Sequence, residues 1–464
     1  MKIKLLLVAV AAFSLSVLAA DAAEKPLRQA PADAKAMADR PNIVYFLVDD
    51  MGFSDCGFNG GKEILTPEID QLAKQGVVFE NYYVQPVCST SRACLMTGRY
   101  PIRTGIYGAL KNDSQYGLPL NERLLPQALQ SAGYTTAICG KWHLGEFESG
   151  YVPMQRGFDH QYGLWLGMID YNTHVSADAH GRRMDWFRDD KPCDDEGYAT
   201  HLIAKEAVRI IQEQPKNKPL FLYIPFNAVH GPWMVPDKYS KPYKKLPPNR
   251  RTVAGMLAVV DEAVGQVVDA LKARGMDRNT LIVFSSDNGG ARPGDRTSNT
   301  PLRDGKGSIY EGGVRSAAFA VFPGKIPAGK KVSPALHLID WYPTLVTLAG
   351  GDLSQPLPLD GQDIWPLLIE GHPPERDAIL LAGTPQRYAI RMGDWKLMRM
   401  GPRRLELYNL ANDIGETRNL VASEPERTER MLARLEAMMV GAVPPLRNEQ
   451  APEKGASART KGRS

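Results

Sequence analysis

Asn42-Ile43-Val44-Tyr45-Phe46-Leu47-Val48-Asp49-Asp50 decides the fold of this 464-residue chain. From Ile43 to Val48 the run lacks the polar alternation of a strand that faces water. Both faces are therefore expected to be buried, and the run stops abruptly in two carboxylates. Three later segments share the pattern. Tyr134 to Cys139 runs into Gly140-Lys141-Trp142-His143, Leu220 to Phe226 into Asn227-Ala228-Val229-His230, and Leu281 to Ser285 into Asp287-Asn288-Gly289. Helical segments separate them. Thr66-Pro67-Glu68 reads as an N-cap with Pro at the first helical position, and Gly76 as the stop. Arg251 to Arg274 carries an apolar stripe of Met256, Val259, Val260, Val264, Val267, Val268 and Leu271, with Gly275 as a cap. The alternation predicts an α/β fold, a mainly parallel sheet sandwiched by helices. In such sheets ligands lie beyond the carboxyl ends of the strands, where all four polar clusters fall.

The chain changes character after Arg376. Tyr388 to Met400 reads as a hairpin turning at Gly393-Asp394, Leu405 to Tyr408 as another strand, and Ser423 as the cap of a helix reaching about Met439. The expected organisation is a signal peptide over 1–23, a catalytic α/β domain over 41–375, a smaller C-terminal antiparallel α+β subdomain over 376–442, and a disordered basic tail over 443–464. The signal reading rests on Lys2 and Lys4, the apolar stretch Leu5–Leu18, and small residues to Ala23. It makes the protein exported, periplasmic or secreted. No later apolar run is long enough to span a membrane, and no Cys follows the first one, so no membrane anchor is expected. A formal charge of +4 on a chain this long does not point to nucleic acid. Five cysteines without a CxxC are neither a disulfide framework nor a thiolate zinc site.

The chemistry sits at the strand ends. Asp49, Asp50, Asp287 and Asn288 offer hard oxygen donors with no Cys or His among them, which favours Ca²⁺ or Mg²⁺ over zinc. Singly, each also reads as a cap or a turn; together, at matching strand ends, they point to a metal. Lys141, His143, His230 and Lys306 add cationic or proton-donating groups, Lys306 within the glycine-rich Leu302–Ser308 loop. Cys88 sits where a turn enters a helix. Backbone N–H groups there favour an anion, and Arg92 adds a fork of donors suited to a tetrahedral oxyanion. His160, His201, His337 and His372 read as structural, whereas His174 and His180 lie in a polar, loop-like stretch. The sum describes a site for cleaving a charged ester, sulfate or phosphate, since both are tetrahedral.

These residues together resemble the type I (formylglycine-dependent) sulfatases, over about Pro41 to Leu420. Cys88-Ser89-Thr90-Ser91-Arg92 followed by Leu95-Met96-Thr97-Gly98-Arg99 is similar to the family's signature. Gly133 to Thr136 continuing through Gly140-Lys141-Trp142-His143 is similar to its second motif. Val87–Gly105, Asp170-Tyr171 and Tyr310–Arg315 are particularly similar to arylsulfatase B-like members. The resemblance implies an alkaline phosphatase-like fold and oxidation of Cys88 to Cα-formylglycine by a separate maturation enzyme. The hydrated aldehyde would attack sulfur, expel the alcohol and then eject sulfate. Asp49, Asp50, Asp287 and Asn288 would bind Ca²⁺ alongside the modified Cys88. Arg92 and Lys141 would hold the formylglycine, and His143 would assist sulfate elimination. His230 and Lys306 would bind sulfate together with Lys141, with His230 the proton donor to the leaving alcohol. Thr90 stands where the signature usually has Pro, and Cys139 where a small or aliphatic residue is commoner. The expected substrate is a sulfated carbohydrate, with Trp165, Tyr171, His174, Trp233 and Arg391 as its contacts. The competing expectations are a phosphoester or phosphonate ester hydrolase, and a non-catalytic binder of sulfated glycans in which Cys88 stays unmodified.

Overall fold

In the computed structural model, residues 39–178, 181–384 and 386–447 are described; the signal segment, His180 and most of the basic tail lie outside them. The opening run forms the strand Asn42–Val48, buried along its whole length. Its side chains divide by the two-residue period of a strand. Ile43, Tyr45 and Leu47 enter one apolar cluster with Leu95 and Trp341. Val44, Phe46 and Val48 enter the other, with Met256, Val260 and Val264 of the helix Pro248–Ala273. Thr280–Ser286 and Leu220–Pro225 flank this strand, both parallel to it, with Val48 opposite Ser286 and Leu47 opposite Pro225. Outward from Leu220–Pro225 come Thr135–Cys139 and His160–Gly163, again parallel. On the other side Arg315–Val321 and Val77–Tyr83 join antiparallel. The result is an eleven-stranded mixed sheet with a parallel centre and apolar clusters on both faces. Sheet order runs both ways from Asn42–Val48, so the crevice at its carboxyl end is a topological switch point.

The C-terminal segment forms the four-stranded antiparallel meander Ile379–Thr384, Arg387–Met392, Trp395–Met400 and Leu405–Asn409, followed by the helix Pro425–Met438. Leu380, Ile390, Leu397, Met431 and Leu435 join the same apolar cluster as Ile43 and Trp341. Among the described residues no helix is long and apolar enough to cross a membrane, and all five cysteines are free thiols.

Thr66 takes the N-cap position with Pro67 at the helix start, as expected, but its hydroxyl donates to Asp70 (3.0 Å) and makes no cap bond; Asp261, from Pro248–Ala273, accepts the backbone N–H of Ile69 (2.8 Å) and Glu68 (3.3 Å) instead. Two further local expectations are corrected. Gly76 does not stop that helix, which ends at Ala73. A Cβ at Gly76 would lie 2.0 Å from the Ala320 carbonyl, so glycine there permits close strand approach. Glu424, not Ser423, occupies the N-cap of the last helix, and the Ser423 hydroxyl donates to the Leu420 carbonyl (3.1 Å).

Candidate active site

The four strand ends deliver their polar residues to one place. Asp49 and Asp50 leave Asn42–Val48, and Asp287 and Asn288 leave the neighbouring Thr280–Ser286; all four are essentially fully buried. Lys141 follows Gly140, whose φ of +134° and whose missing Cβ, 2.0 Å from the Pro225 carbonyl, let the chain turn inward. Cys88 opens the helix Cys88–Thr97, every residue of which is buried. Thr90 donates its hydroxyl to the Val87 carbonyl (2.6 Å) across the helix entry. Asp50 and His143 both hold left-handed backbone (φ 63° and 59°), which non-glycine residues keep only where the surroundings enforce it.

Arg92 is spent internally. It donates to Asp287 Oδ2 from Nη2 (2.8 Å) and Nε (3.1 Å), to Asp49 Oδ2 (3.3 Å) and to the Lys141 carbonyl (2.7 Å). The expected oxyanion fork is therefore a fully buried clamp on two carboxylates. Lys141 Nζ also donates to Asp49 Oδ2. Lys306 Nζ lies 2.8 and 2.9 Å from the two oxygens of Asp50, which also accepts from Asn288 Nδ2 (2.8 Å) and has His230 Nε2 at 3.8 Å. Burial raises the Asp49 carboxyl, but Lys141, His230, Arg92 and Lys306 together hold it well below the usual carboxylate range. Burial, reinforced by the Asp49 charge, pushes Asp287 upward.

Two oxygens have no partner. Asp49 Oδ1 and Asn288 Oδ1 are buried and make no hydrogen bond. Buried polar atoms are almost always satisfied, so such a pair within an all-oxygen set is what a hard cation fits. Ligand atoms of Asp49, Asp50 and His230 also lie within 4.8 Å of one another.

Cys88 Sγ lies 3.2 Å from His143 Nδ1. His143 Nε2 is 2.8 Å from the Leu110 carbonyl, which can only accept, so Nε2 carries the proton and Nδ1 presents a lone pair to Cys88. Burial, then Lys141, lowers the imidazole well below its ordinary range and keeps it neutral. His230 Nδ1 donates to the Gly231 carbonyl (2.6 Å), leaving Nε2 toward Asp50. Cys88, Leu110, Lys111, Asn112, His143 and Met168 line a cavity of about 250 Å³ that also reaches His230 and Lys306. Those last two residues are shared with a cavity of about 490 Å³ that takes in Trp233, Met234 and Arg292.

Of the expected substrate contacts, Trp233 lines the larger cavity. His174 is corrected: its buried ring stacks on Trp186 (4.5 Å between centroids) and bonds to the Gly197 carbonyl (3.1 Å), and it lines neither cavity. Arg391 is buried on Tyr83 and Asn81, and Trp165 stacks on Phe187 (3.6 Å). Tyr171 is buried and donates to the carbonyls of Asn227 (2.7 Å) and His230 (2.8 Å), so it anchors the His230 loop. Lys111, Asn112, Met168, Arg182 and Arg292 line the cavities without having stood out in the sequence; Arg182 comes from a short exposed strand and the others from loops that carry no spacing pattern.

Fold and site together define a hydrolase of charged esters, and comparison with known proteins makes the class specific. Residues 41–351 match the sulfatase family model, and the chain belongs to the sulfatase family. It is 35% identical to arylsulfatase J of Mus musculus over 469 residues, covering 89% of this chain and 78% of that protein. It is 33% identical to N-acetylgalactosamine-6-sulfatase of Mus musculus over 380 residues, covering 77% and 71%. The crystal structure of Ps i-CgsB in complex with k-i-k-neocarrahexaose superposes with a TM-score of 0.82 at 34% identity, covering 89% of this chain and 95% of that one. The protein is a sulfuric ester hydrolase, and the phosphonate alternative is not favoured.

Proposed function

We propose that this is an exported, calcium-dependent sulfatase that acts on a sulfated carbohydrate and works with Cys88 converted to Cα-formylglycine. The observation that carries the reading is the pair of unpartnered buried oxygens on Asp49 and Asn288, among four oxygen-donor residues, beside Cys88. Asp49, Asp50, Asp287 and Asn288 hold the cation. Once in place, the cation and the hydrated aldehyde at position 88 supply a nucleophile acidic enough to form at neutral pH and positive charge to screen sulfate.

The remaining roles belong to this chain's own side chains. Arg92 fixes Asp49 and Asp287 relative to each other and to the Lys141 carbonyl, which makes it a positioning residue. His143 Nδ1 accepts a proton from the group at position 88, because its other nitrogen is committed to Leu110. Lys141, Lys306 and His230 surround the sulfate. His230, at the junction of the two cavities, gives a proton to the leaving oxygen from Nε2 of its imidazolium form, Nδ1–H staying on the Gly231 carbonyl. The carbohydrate reading is supported by the oligosaccharide complex of Ps i-CgsB, and export by the Met1–Ala23 pattern, which the maturation enzyme's target at Cys88 would follow.

Parallel assays with 4-nitrophenyl sulfate and 4-nitrophenyl phosphate, each with EGTA and with calcium restored, test the proposal. Calcium-restored hydrolysis dominated by the sulfate ester is expected. A dominant phosphatase rate, or a sulfatase rate indifferent to exhaustive chelation, contradicts it.

A further inference from the structure

The 490 Å³ cavity shares Met168, His230 and Lys306 with the cavity that contains Cys88, and its walls come from three loop regions around Met168–Asp170, Gly231–Met234 and Ala291-Arg292, together with the hairpin that carries Arg182. Two arginines line it, Arg182 and Arg292, and neither lines the smaller cavity that contains Cys88. Both are exposed, and neither has an ion pair among the described residues. Arg183, one position along, is instead engaged by Glu146.

The acids of the same cavity do not answer these charges. Asp50 is held by Lys306. Asp170 accepts the backbone N–H of Asn172 (2.9 Å) and Thr173 (2.8 Å) and so closes its own turn. Two guanidinium groups thus line one cavity without an ion-pair partner among the described residues, an arrangement that favours an anion, and each guanidinium is a planar fork suited to a planar or tetrahedral oxyanion. Trp233 lines the same cavity, its ring 5.2 Å from the Arg292 guanidinium and 3.7 Å from that of Arg296, and adds an apolar wall for a sugar.

We propose that Arg182 and Arg292 form a second anion subsite, which takes a further sulfate or carboxylate substituent of the carbohydrate whose sulfate ester is cleaved beside Cys88. The inference rests on the proposed function and narrows its substrate to polyanionic glycans. The scissile sulfate is served by Lys141, His230 and Lys306; the two arginines read what lies beyond it.

The test compares three matched disaccharides: one singly sulfated, one with an additional sulfate, one with an additional uronate carboxylate. The wild-type protein is expected to prefer one or both doubly charged substrates by about tenfold or more in kcat/KM, chiefly through KM, the scale of one charge-assisted hydrogen bond. The second-sulfate and carboxylate arms say which anion the subsite takes. Arg182→Ala and Arg292→Ala each lower this preference ratio, the double variant abolishes it, and lysine at both positions restores part of it. A ratio has the merit that general damage to the protein cancels. An absent preference in wild type, or one intact in the double variant, overturns the subsite. Calorimetric binding of the disulfated disaccharide to Cys88→Ala protein separates this from the parent reading. Arginine-dependent binding without turnover of any sulfate ester by wild type contradicts the proposed function alone, and turnover without arginine dependence contradicts the subsite alone.

Discussion

Arg92 Nη2 lies 2.8 Å from Asp287 Oδ2 and 3.3 Å from Asp49 Oδ2, with all three side chains completely out of solvent. One guanidinium therefore bridges two carboxylates that would otherwise repel each other, with Lys141 supplying a second positive charge to Asp49. Removing one partner of a buried ion pair strands the other, so Arg92→Ala is expected to cost about 3–5 kcal/mol of unfolding free energy. Arg92→Lys keeps the charge but loses the fork and is expected to fall between the two. Urea unfolding of the three proteins checks this; equal midpoints for wild type and Arg92→Ala contradict the clamp.

Cation removal is read through stability as well as rate. A cation that binds only the folded state raises Tm with its concentration, by about 2.7 kcal/mol of stabilisation at a hundredfold excess over Kd. The proposed site predicts that calcium raises Tm in wild type and much less in Asn288→Leu, where one unpartnered oxygen is gone. Calorimetric scans over a calcium series measure both; an identical calcium response in the two proteins is incompatible with Asn288 as a ligand.

His230 is expected to matter in proportion to how poor the leaving group is. General acid catalysis contributes about 10²–10⁴-fold where the departing oxygen needs a proton. His230→Ala should lose that much on an alkyl or sugar sulfate and markedly less on 4-nitrophenyl sulfate. The slope of log kcat/KM against leaving-group pKa is the measurement, and an unchanged slope removes the acid role.

Glu206, which lines neither cavity, predicts an acid limb in stability. It accepts from His160 Nε2 (2.8 Å), Arg188 Nη1 (2.7 Å) and Arg209 Nη2 (2.7 Å). Burial pushes its carboxyl up, but hydrogen bonds from His160, Arg209 and Arg188 more than reverse this and hold it well below the usual range. A depressed folded-state value adds stability that is present above the unfolded value of about 4.3 and is lost as pH falls through the folded value. Glu206→Gln should therefore cost about 1–3 kcal/mol near neutrality and progressively less below pH ~4. Unfolding curves across pH check it; a constant difference between the two proteins rules the linkage out.

The centre of the fold was legible because buried parallel strands are continuous apolar runs, and such runs stop where the site begins. Asp49, Lys141, His230 and Asp287 could be located from that alone. Partnership was not legible. Arg92 meets carboxylates 43 positions before it and 195 after it, and nothing in its own surroundings distinguishes a clamp from an anion fork. His174 looked like a loop histidine because its partner Trp186 lies across a turn. Arg391 looked free because Tyr83 and Asn81 come from another sheet. Arg182 and Arg292 carry no pattern: Arg182 lies on a four-residue strand exposed at every position, with no apolar alternation to mark it, and Arg292 on a loop that obeys neither helical nor strand periodicity.

The central claim is that the sulfur of Cys88 is replaced before the protein works. Intact-mass and fragment spectra of the tryptic peptide from Gln75 to Arg92, taken from protein made in its native host, test it most directly. An aldehyde or its hydrate in place of the Cys88 thiol, in a fraction that scales with specific activity, is the predicted result. Fully active protein whose Cys88 retains its thiol contradicts the account.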